Sequence, residues 1–189
     1  MCYFVCVEPN ENRPPNKRRQ ALFLGTHEIK LDSKNRISVP AEIRRAIDIE
    51  RDGESFIFTV GINGKAWLYC EKEYLAMASQ HESDEIPSEE DLAYEQSWYG
   101  TAFRRVLDEE NRLILPDKIL RRTKLGKDLA LIGVKGHLEI WNRVEWEARE
   151  DELAAKRVEM YMARKAKLEA ARELPSPADR TGQQVETAK

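Results

Sequence analysis

Two short segments of the sequence share the pattern Asp-x-x-Asn-Arg, in which an aspartate is followed, four positions later, by an arginine. The first segment is Asp32 to Arg36 and the second is Asp108 to Arg112. An aspartate at the start of a turn accepts backbone N–H bonds. An exposed guanidinium can bind phosphate or the edge of a base. The spacing therefore makes both segments candidates for contact with a nucleic acid.

A purely structural role is the alternative for each arginine, because an ion pair with its own aspartate would hold the turn in shape. Exposed pairs of this kind contribute only about 0–1 kcal/mol, which is a weak reason for using the same pair twice. We therefore favour a functional role for Arg36. Both alternatives stay open for Arg112, because its neighbours Glu109 and Glu110 would repel phosphate.

Charge is distributed unevenly along the chain. The formal net charge of −3 argues mildly against a nucleic-acid partner. From Arg13 to Arg45, however, nine basic residues stand against three acidic ones, whereas Glu82 to Glu95 holds seven acidic residues and no basic ones. A local basic face matters more to a polyanion than the total charge does. We interpret the run Lys17–Arg19 as a solvated segment, with a DNA-binding arm as the alternative.

The sequence does not indicate catalytic chemistry. No Gly-rich phosphate loop, metal-ligand cluster or nucleophile–base pair is visible, so we expect no enzyme, no cofactor and no metal site. The cysteines are too few for a disulfide framework, which favours a reducing cytoplasm; they are Cys2, Cys6 and Cys70. No run of about 18 apolar residues exists, so no membrane helix is expected, and the first seven residues make a poor signal peptide.

The two segments belong to an internal repeat. From Leu31 and Leu107 onward, the copies match at a constant offset of 76 positions, and their Asp, Asn, Arg, Pro and Ile residues coincide. A fainter match continues from 64–69 to 136–141. Each unit is therefore about 50 residues long, and an acidic connector joins the two.

Each unit is predicted to combine strands with a short helix. In the first unit a strand at 27–31 leads into a turn at 32–35 and a return strand at 36–39. Asparagine suits a left-handed turn position, and proline ends a strand and suits the first turn of a helix; these residues are Asn35, Asn111, Pro40 and Pro116. A second hairpin follows in each unit, with strands at 56–60, 66–69, 129–134 and 138–141.

Helices are predicted for the connector and for the C-terminal region. One spans 71–80, another starts with a capping box after Pro87, and a long charged helix begins at Arg143. The predicted domain organisation is a flexible N-terminal extension (1–22), a first unit (23–72), an acidic helical connector (73–97), a second unit (98–143), a C-terminal helix (144–174) and a disordered tail (175–189).

The motifs resemble those of the MraZ family, which belongs to the AbrB-like swapped-hairpin superfamily. The resemblance rests on Phe23-Leu24-Gly25, on the run from Leu31 to Pro40, and on Asp108 to Arg112 with Pro116. It implies an α+β, β-rich fold. In that fold, tandem swapped-hairpin AbrB-like (SpoVT-AbrB-like) units form one pseudo-two-fold β-barrel, accompanied by connector helices and a long C-terminal helix.

The resemblance also implies a function. The family comprises ring-forming bacterial transcriptional regulators that bind direct repeats in double-stranded DNA, upstream of the division and cell-wall gene cluster and usually of their own gene. We accordingly expect a homo-oligomer in the cytoplasm, associated with the nucleoid, with no membrane or small-molecule partner. The candidate DNA contacts are Arg36, Lys34, Arg112, Lys30 and Arg44, and the residues that shape the motifs are Asp32, Asn35, Asp108, Asn111, Pro40 and Pro116.

Two other functions remain open. The net negative charge and the long C-terminal helix favour an oligomeric scaffold or interaction protein without direct DNA contact. An antitoxin-like regulator is a variant within the same superfamily.

Overall fold

Eight strands and six helices make up the described part of the chain. The structure is a computed structural model that describes residues 21–80 and 87–173, and the chain divides after Arg143 into two compact units. The strands are β1 Thr26–Lys30, β2 Arg36–Ser38, β3 Ser55–Val60, β4 Ala66–Cys70, β5 Phe103–Val106, β6 Arg112–Ile114, β7 Asp128–Val134 and β8 His137–Asn142. The helices are α1 Ala41–Ala46, α2 Ile49–Asp52, α3 Glu71–Ala78, α4 Glu89–Trp98, α5 Asp117–Thr123 and α6 Arg143–Glu173.

The strands form two antiparallel sheets. Six strands form one sheet in the order β1-β7-β8-β4-β3-β5, and β2 pairs with β6 in a separate two-stranded ribbon. The halves of the chain exchange strands in this arrangement, because β1 pairs with β7 of the second half while β5 pairs with β3 of the first. The α+β class with two repeated units is therefore confirmed. The predicted closed barrel is not, because β1 and β5 are the open edges of the six-stranded sheet.

The predicted return strand forms as β2, but the expectation that it pairs back on β1 is wrong. Only the turn itself is closed in hairpin fashion, by the Asp32 N–H donating to the Arg36 carbonyl at 3.0 Å. Beyond the turn, β2 pairs with its own repeat copy, β6. A unit of about 50 residues buries little surface and is only marginally stable alone, and this pairing lets the two copies share one core.

The shared core is built from repeat-related residues. Pairs separated by the repeat offset are buried together, with at most 3% of each side chain exposed: Ile37 with Leu113, Val39 with Leu115, and Ile43 with Ile119. They come from the ribbon and from α1 and α5. The apolar side chains of the ribbon therefore point into this core, and the arginines lie on its opposite, outer face.

Most local elements agree with the sequence predictions. Both second hairpins form, as β3–β4 and β7–β8, and α6 covers the predicted C-terminal helix as far as Glu173, where the described residues end. At the start of α4 the Ser88 side chain accepts the Asp91 N–H, as the capping box predicts. Pro40 and Pro116 occupy the N-cap positions of α1 and α5, one residue before the first helical turn.

Several predictions concern residues outside the described part of the chain. They are the N-terminal extension up to residue 20 with Cys2, Cys6 and Lys17–Arg19, the start of the acidic block at 82–86, and the tail at 175–189. Among residues 21–80 and 87–173, none of the helices combines the length and apolar character needed to cross a bilayer.

Candidate nucleic-acid interface

The first turn is organised by the carboxylate of Asp32. One oxygen, Oδ1, accepts the backbone N–H groups of Lys34 and Arg36 at 2.8 and 2.9 Å. The other, Oδ2, accepts the Nε–H of Arg36 at 2.7 Å. The backbone hydrogen bond from Arg36 is the main cause that lowers the pKa of Asp32, against the opposing effect of desolvation. The carboxylate therefore stays charged and holds the arginine in place.

The second turn repeats this arrangement. Asp108 Oδ1 accepts the backbone N–H groups of Glu110 and Arg112, both at 2.9 Å, and Oδ2 accepts the Arg112 Nε–H at 2.9 Å. The backbone hydrogen bond from Arg112 is again the main cause that lowers the pKa of Asp108. The residue before each arginine is left-handed, with φ of 58° at Asn35 and 61° at Asn111. Asparagine tolerates this conformation better than most residues.

The ribbon places both arginines on one face. In its register Arg36 lies opposite Ile114, and Ser38 lies opposite Arg112. Opposite residues of an antiparallel pair project to the same side, so the two arginines are diagonal neighbours, about 7–8 Å apart at their Cα atoms. The turns themselves extend from opposite ends of the ribbon. One molecule therefore presents two arginine-bearing turns along a single outer face.

The two guanidinium groups differ in how they are engaged. Their side chains are similarly exposed, at 22% for Arg36 and 21% for Arg112. In the part of the chain that the structure describes, Arg36 is held through Nε alone, and neither Nη group has a protein partner. Arg112 is held by Asp108 and additionally donates Nη1 to Glu110. Its hydrogen bond to Asp108 is the main cause that raises the pKa of Arg112.

Further lysines lie beside the first turn. The Leu31 N–H donates to the Lys127 carbonyl at 2.9 Å, which brings the 124–127 loop after α5 alongside the turn. Lys127 lines a shallow depression together with Asp32 and Ser33. Lys124 begins the same loop in a left-handed conformation with φ of 52°, and both lysines are exposed. The first turn is thus set in a mainly basic surface that includes Lys34; one carboxylate, that of Asp117, lies beside it and accepts the Asn35 Nδ2–H at 2.9 Å.

Comparison with known proteins assigns this repeat to a family. The family model described as "MraZ protein, putative antitoxin-like" matches residues 22–94 and again residues 99–168. The chain belongs to the MraZ family. The two MraZ matches divide the turns between them, so that each matched range contains one Asp-x-x-x-Arg motif.

Similar MraZ proteins cover most of this chain, and each bears the name transcriptional regulator MraZ. The protein of Clostridium tetani is 28% identical over 130 residues, which make up 69% of this chain and 88% of that protein. The protein of Pediococcus pentosaceus is 29% identical over 128 residues, or 67% and 85% of the two chains. That of Lactiplantibacillus plantarum is 28% identical over 134 residues, or 71% and 92%.

The remaining candidate contacts fall at different places around the MraZ motifs. Lys30 is exposed at the end of β1, two residues before the first turn. Arg44 lies beside the second turn, where it lines a depression with Glu54 and Asn111. Its Nε donates to the Val39 carbonyl at 3.2 Å, which holds the side chain against its own backbone.

Sequence reasoning missed Lys124 and Lys127 as members of the basic surface. Both lie outside the Asp-x-x-x-Arg motifs, roughly 90 residues from the turn that they flank. The proximity of their loop to the first turn results from the pairing of β1 with β7, in which Lys30 lies opposite Asp128. An exchange of strands between the halves was the missing piece of information, and the resemblance to a swapped-hairpin superfamily was the only signal for it in the sequence.

A buried polar network lies in the same unit but away from the motifs. Glu139 is 8% exposed, and its Oε2 accepts hydrogen bonds from Trp141 Nε1 at 2.7 Å and Asn63 Nδ2 at 3.0 Å. Burial alone would raise the pKa of Glu139, but the nearby His137 imidazole, with Nε2 3.5 Å from Oε1, and the hydrogen bonds from Trp141 and Asn63 outweigh it, and the pKa is lowered. Among the described residues no group of acidic, histidine or cysteine side chains could hold a metal ion. We interpret the network as structural.

Proposed function

We propose that the chain is a DNA-binding transcriptional regulator whose first turn contacts the phosphates of a DNA duplex. The observation that supports this function best is the half-engaged guanidinium of Arg36. Asp32 fixes it through Nε, while its two Nη groups have no partner among residues 21–80 and 87–173 and can take an external acceptor. Membership of the MraZ family and the names of its relatives support the same function.

Affinity would come mainly from neutralisation of phosphates by the basic surface of the first turn. This surface comprises Lys30, Lys34, Arg36, Lys124 and Lys127. Each phosphate contact releases counterions, and the logarithm of the affinity falls with the logarithm of the salt concentration by about 0.9 per contact. An acidic protein can bind DNA in this way, because the field at the contact surface is local.

Selectivity would come from assembly. We infer that copies of the chain form a ring and bind direct repeats upstream of the division and cell-wall gene cluster, including the gene for this protein. A single turn binds weakly, whereas linked turns that engage successive repeats gain avidity without any new contact. We further propose that the exchanged strands correspond to the swapped-hairpin architecture of the superfamily, with unit boundaries at 23–72 and 98–143. Such a regulator would act in the cytoplasm, on the nucleoid.

The test is Arg36→Ala in an electrophoretic mobility-shift assay with duplex DNA from the region upstream of its own gene. Loss of a phosphate or base contact costs about 1–3 kcal/mol per turn. Several turns bind together, so we expect the shift to disappear at moderate salt. Arg45→Ala is the matched control, because this exposed arginine lies on α1 and outside the motif. Light scattering should show the same assembly for all three proteins, and an unchanged shift for Arg36→Ala would refute the proposal.

An oligomeric scaffold without DNA contact is the second candidate, and α6 favours it. Five large apolar side chains are more than half exposed along this helix: Val144, Val158, Tyr161, Met162 and Leu168. At 3.6 residues per turn, their positions fall along one side of the helix. Behaviour toward DNA that does not change with salt concentration would support this candidate. The family's description also keeps the antitoxin-like regulator as a variant, which a neighbouring toxin gene would reveal.

A further inference from the structure

We propose that the two turns are functionally unequal, because Glu110 keeps Arg112 away from phosphate and leaves the DNA contact to the first turn. This inference rests on the proposed function for its partner, duplex DNA. The second turn is then a copy of the first in which a carboxylate occupies the arginine. Glu110 therefore determines how many phosphates one chain can contact.

The two arginines differ in how many of their N–H donors are already engaged. A guanidinium has three nitrogens with five N–H donors in a fixed planar fork. Toward the residues that the structure describes, Arg36 uses only Nε, so both Nη groups can form the bidentate contact that phosphate favours. Arg112 uses Nε on Asp108 and Nη1 on Glu110. A phosphate that approached Arg112 would have to displace a carboxylate that is already bound.

The charge of each turn supports the same conclusion. The first turn, from Asp32 to Arg36, has one acidic and two basic residues and a net charge of +1. The second, from Asp108 to Arg112, has three acidic residues and one basic residue and a net charge of −2. The Glu110 side chain is 68% exposed, so its charge faces the solvent from which DNA would approach. The second turn would repel phosphate even while its arginine is present.

The loops that flank the turns extend this difference. Lys127 lies beside the first turn, in the depression that includes Asp32. At the corresponding place beside the second turn, the depression that includes Asn111 contains Glu54 together with Arg44, whose charges oppose each other. The lysine beside the first turn therefore has no net basic counterpart beside the second. The difference in charge between the two turns themselves is not reversed by the segments next to them.

The proposal is tested by measuring the dissociation constant by fluorescence anisotropy at several salt concentrations, with the duplex used in the mobility-shift assay. We expect Arg112→Ala to change the affinity less than about twofold, because a group that makes no contact contributes little, and Arg36→Ala to weaken it more than about fivefold. Glu110→Gln should tighten binding and steepen the salt dependence by about one phosphate contact.

A double variant separates release of Arg112 from a general gain in charge. If Glu110→Gln acts by freeing the arginine, the added salt dependence should vanish when Arg112→Ala is combined with it. Glu109→Gln is the matched control, since it removes the same charge from the same turn without freeing Arg112, and its salt dependence should stay at the native value. A gain that persists in the double variant would overturn the proposal, as would a loss for Arg112→Ala equal to that for Arg36→Ala. The proposed function fails together with it only if the native chain does not bind DNA, or if Arg36→Ala binds normally.

Discussion

Coupled substitutions at the centre of the ribbon test the strand exchange most directly. Ile37 and Leu113 lie opposite each other in the β2–β6 register, and both side chains are fully buried. One belongs to each half of the chain. If the halves share one core, truncation of either side chain should destabilise the whole β-rich unit.

The magnitude follows from the burial. Replacing a fully buried Ile or Leu with Ala costs about 2–5 kcal/mol, because transfer free energy is lost and a cavity remains. We expect Ile37→Ala and Leu113→Ala each to fall in this range. The two sites are in contact, so the double variant should depart from additivity by at least about 0.5 kcal/mol. Ile37→Val, which should cost about 0.5–1.5 kcal/mol, provides a milder variant if the alanine forms do not fold.

Urea denaturation is the assay, followed by circular dichroism and by tryptophan fluorescence. Ile114→Ala is the matched control, because this neighbour is 49% exposed on the outer face and should change stability by no more than about 0.5 kcal/mol. For each variant the two signals should give one coincident transition for the β-rich unit. Two separate transitions from that unit, or strict additivity of the two alanine substitutions, would refute the shared core.

Three further predictions concern single positions. Asn111→Gly should stay close to native stability, whereas Asn111→Ala should lose about 1–2 kcal/mol in thermal unfolding, because φ is 61° at this residue and alanine lacks the short polar side chain that lets asparagine tolerate a left-handed conformation. The thiol of Cys70 is buried and its pKa is raised to about 12, so peptide mapping should find it unmodified by iodoacetamide in the native chain and modified in urea; labelling at equal rates would contradict this. Glu139→Ala should cost about 1–3 kcal/mol in urea denaturation, because the Trp141 and Asn63 donors lose their acceptor. The pKa of Glu139 is lowered on folding, so the stability that its ionised form contributes is present above the unfolded pKa and is lost as the pH falls through the lower folded value. The difference between Glu139→Ala and the native chain should therefore shrink in acid, and a constant difference would show that ionisation is irrelevant.

Local features were accessible from the sequence because they depend on neighbouring residues. The left-handed asparagines, the capping box of α4 and the strands of the second hairpins each follow from a few consecutive side chains. The repeat offset of 76 then extended every local inference to the second half. The acidic character of the second turn was also visible, since Glu109 and Glu110 replace the Ser and Lys of the first.

The pairing of strands that are distant in sequence could not be predicted from hydrophobic periodicity. An alternating pattern shows that a strand has a buried face, but it does not show which strand pairs with it. The β1–β7 and β3–β5 pairings were therefore missed, and with them the position of Lys127 near the first turn. The position of Arg44 beside the second turn was not predicted, for the same reason.

The exchanged strands also impose an order on biosynthesis. In the β1–β7 register Thr26 pairs with Ile132, so roughly a hundred further residues must be synthesised before the first strand can meet its neighbour. At about 5–20 residues per second, that interval lasts about 5–20 s. During this time the nascent first half exposes unpaired strand edges and half of a hydrophobic core. Every newly made copy therefore passes through a stage in which a chaperone, or a second nascent chain on the same message, can capture it.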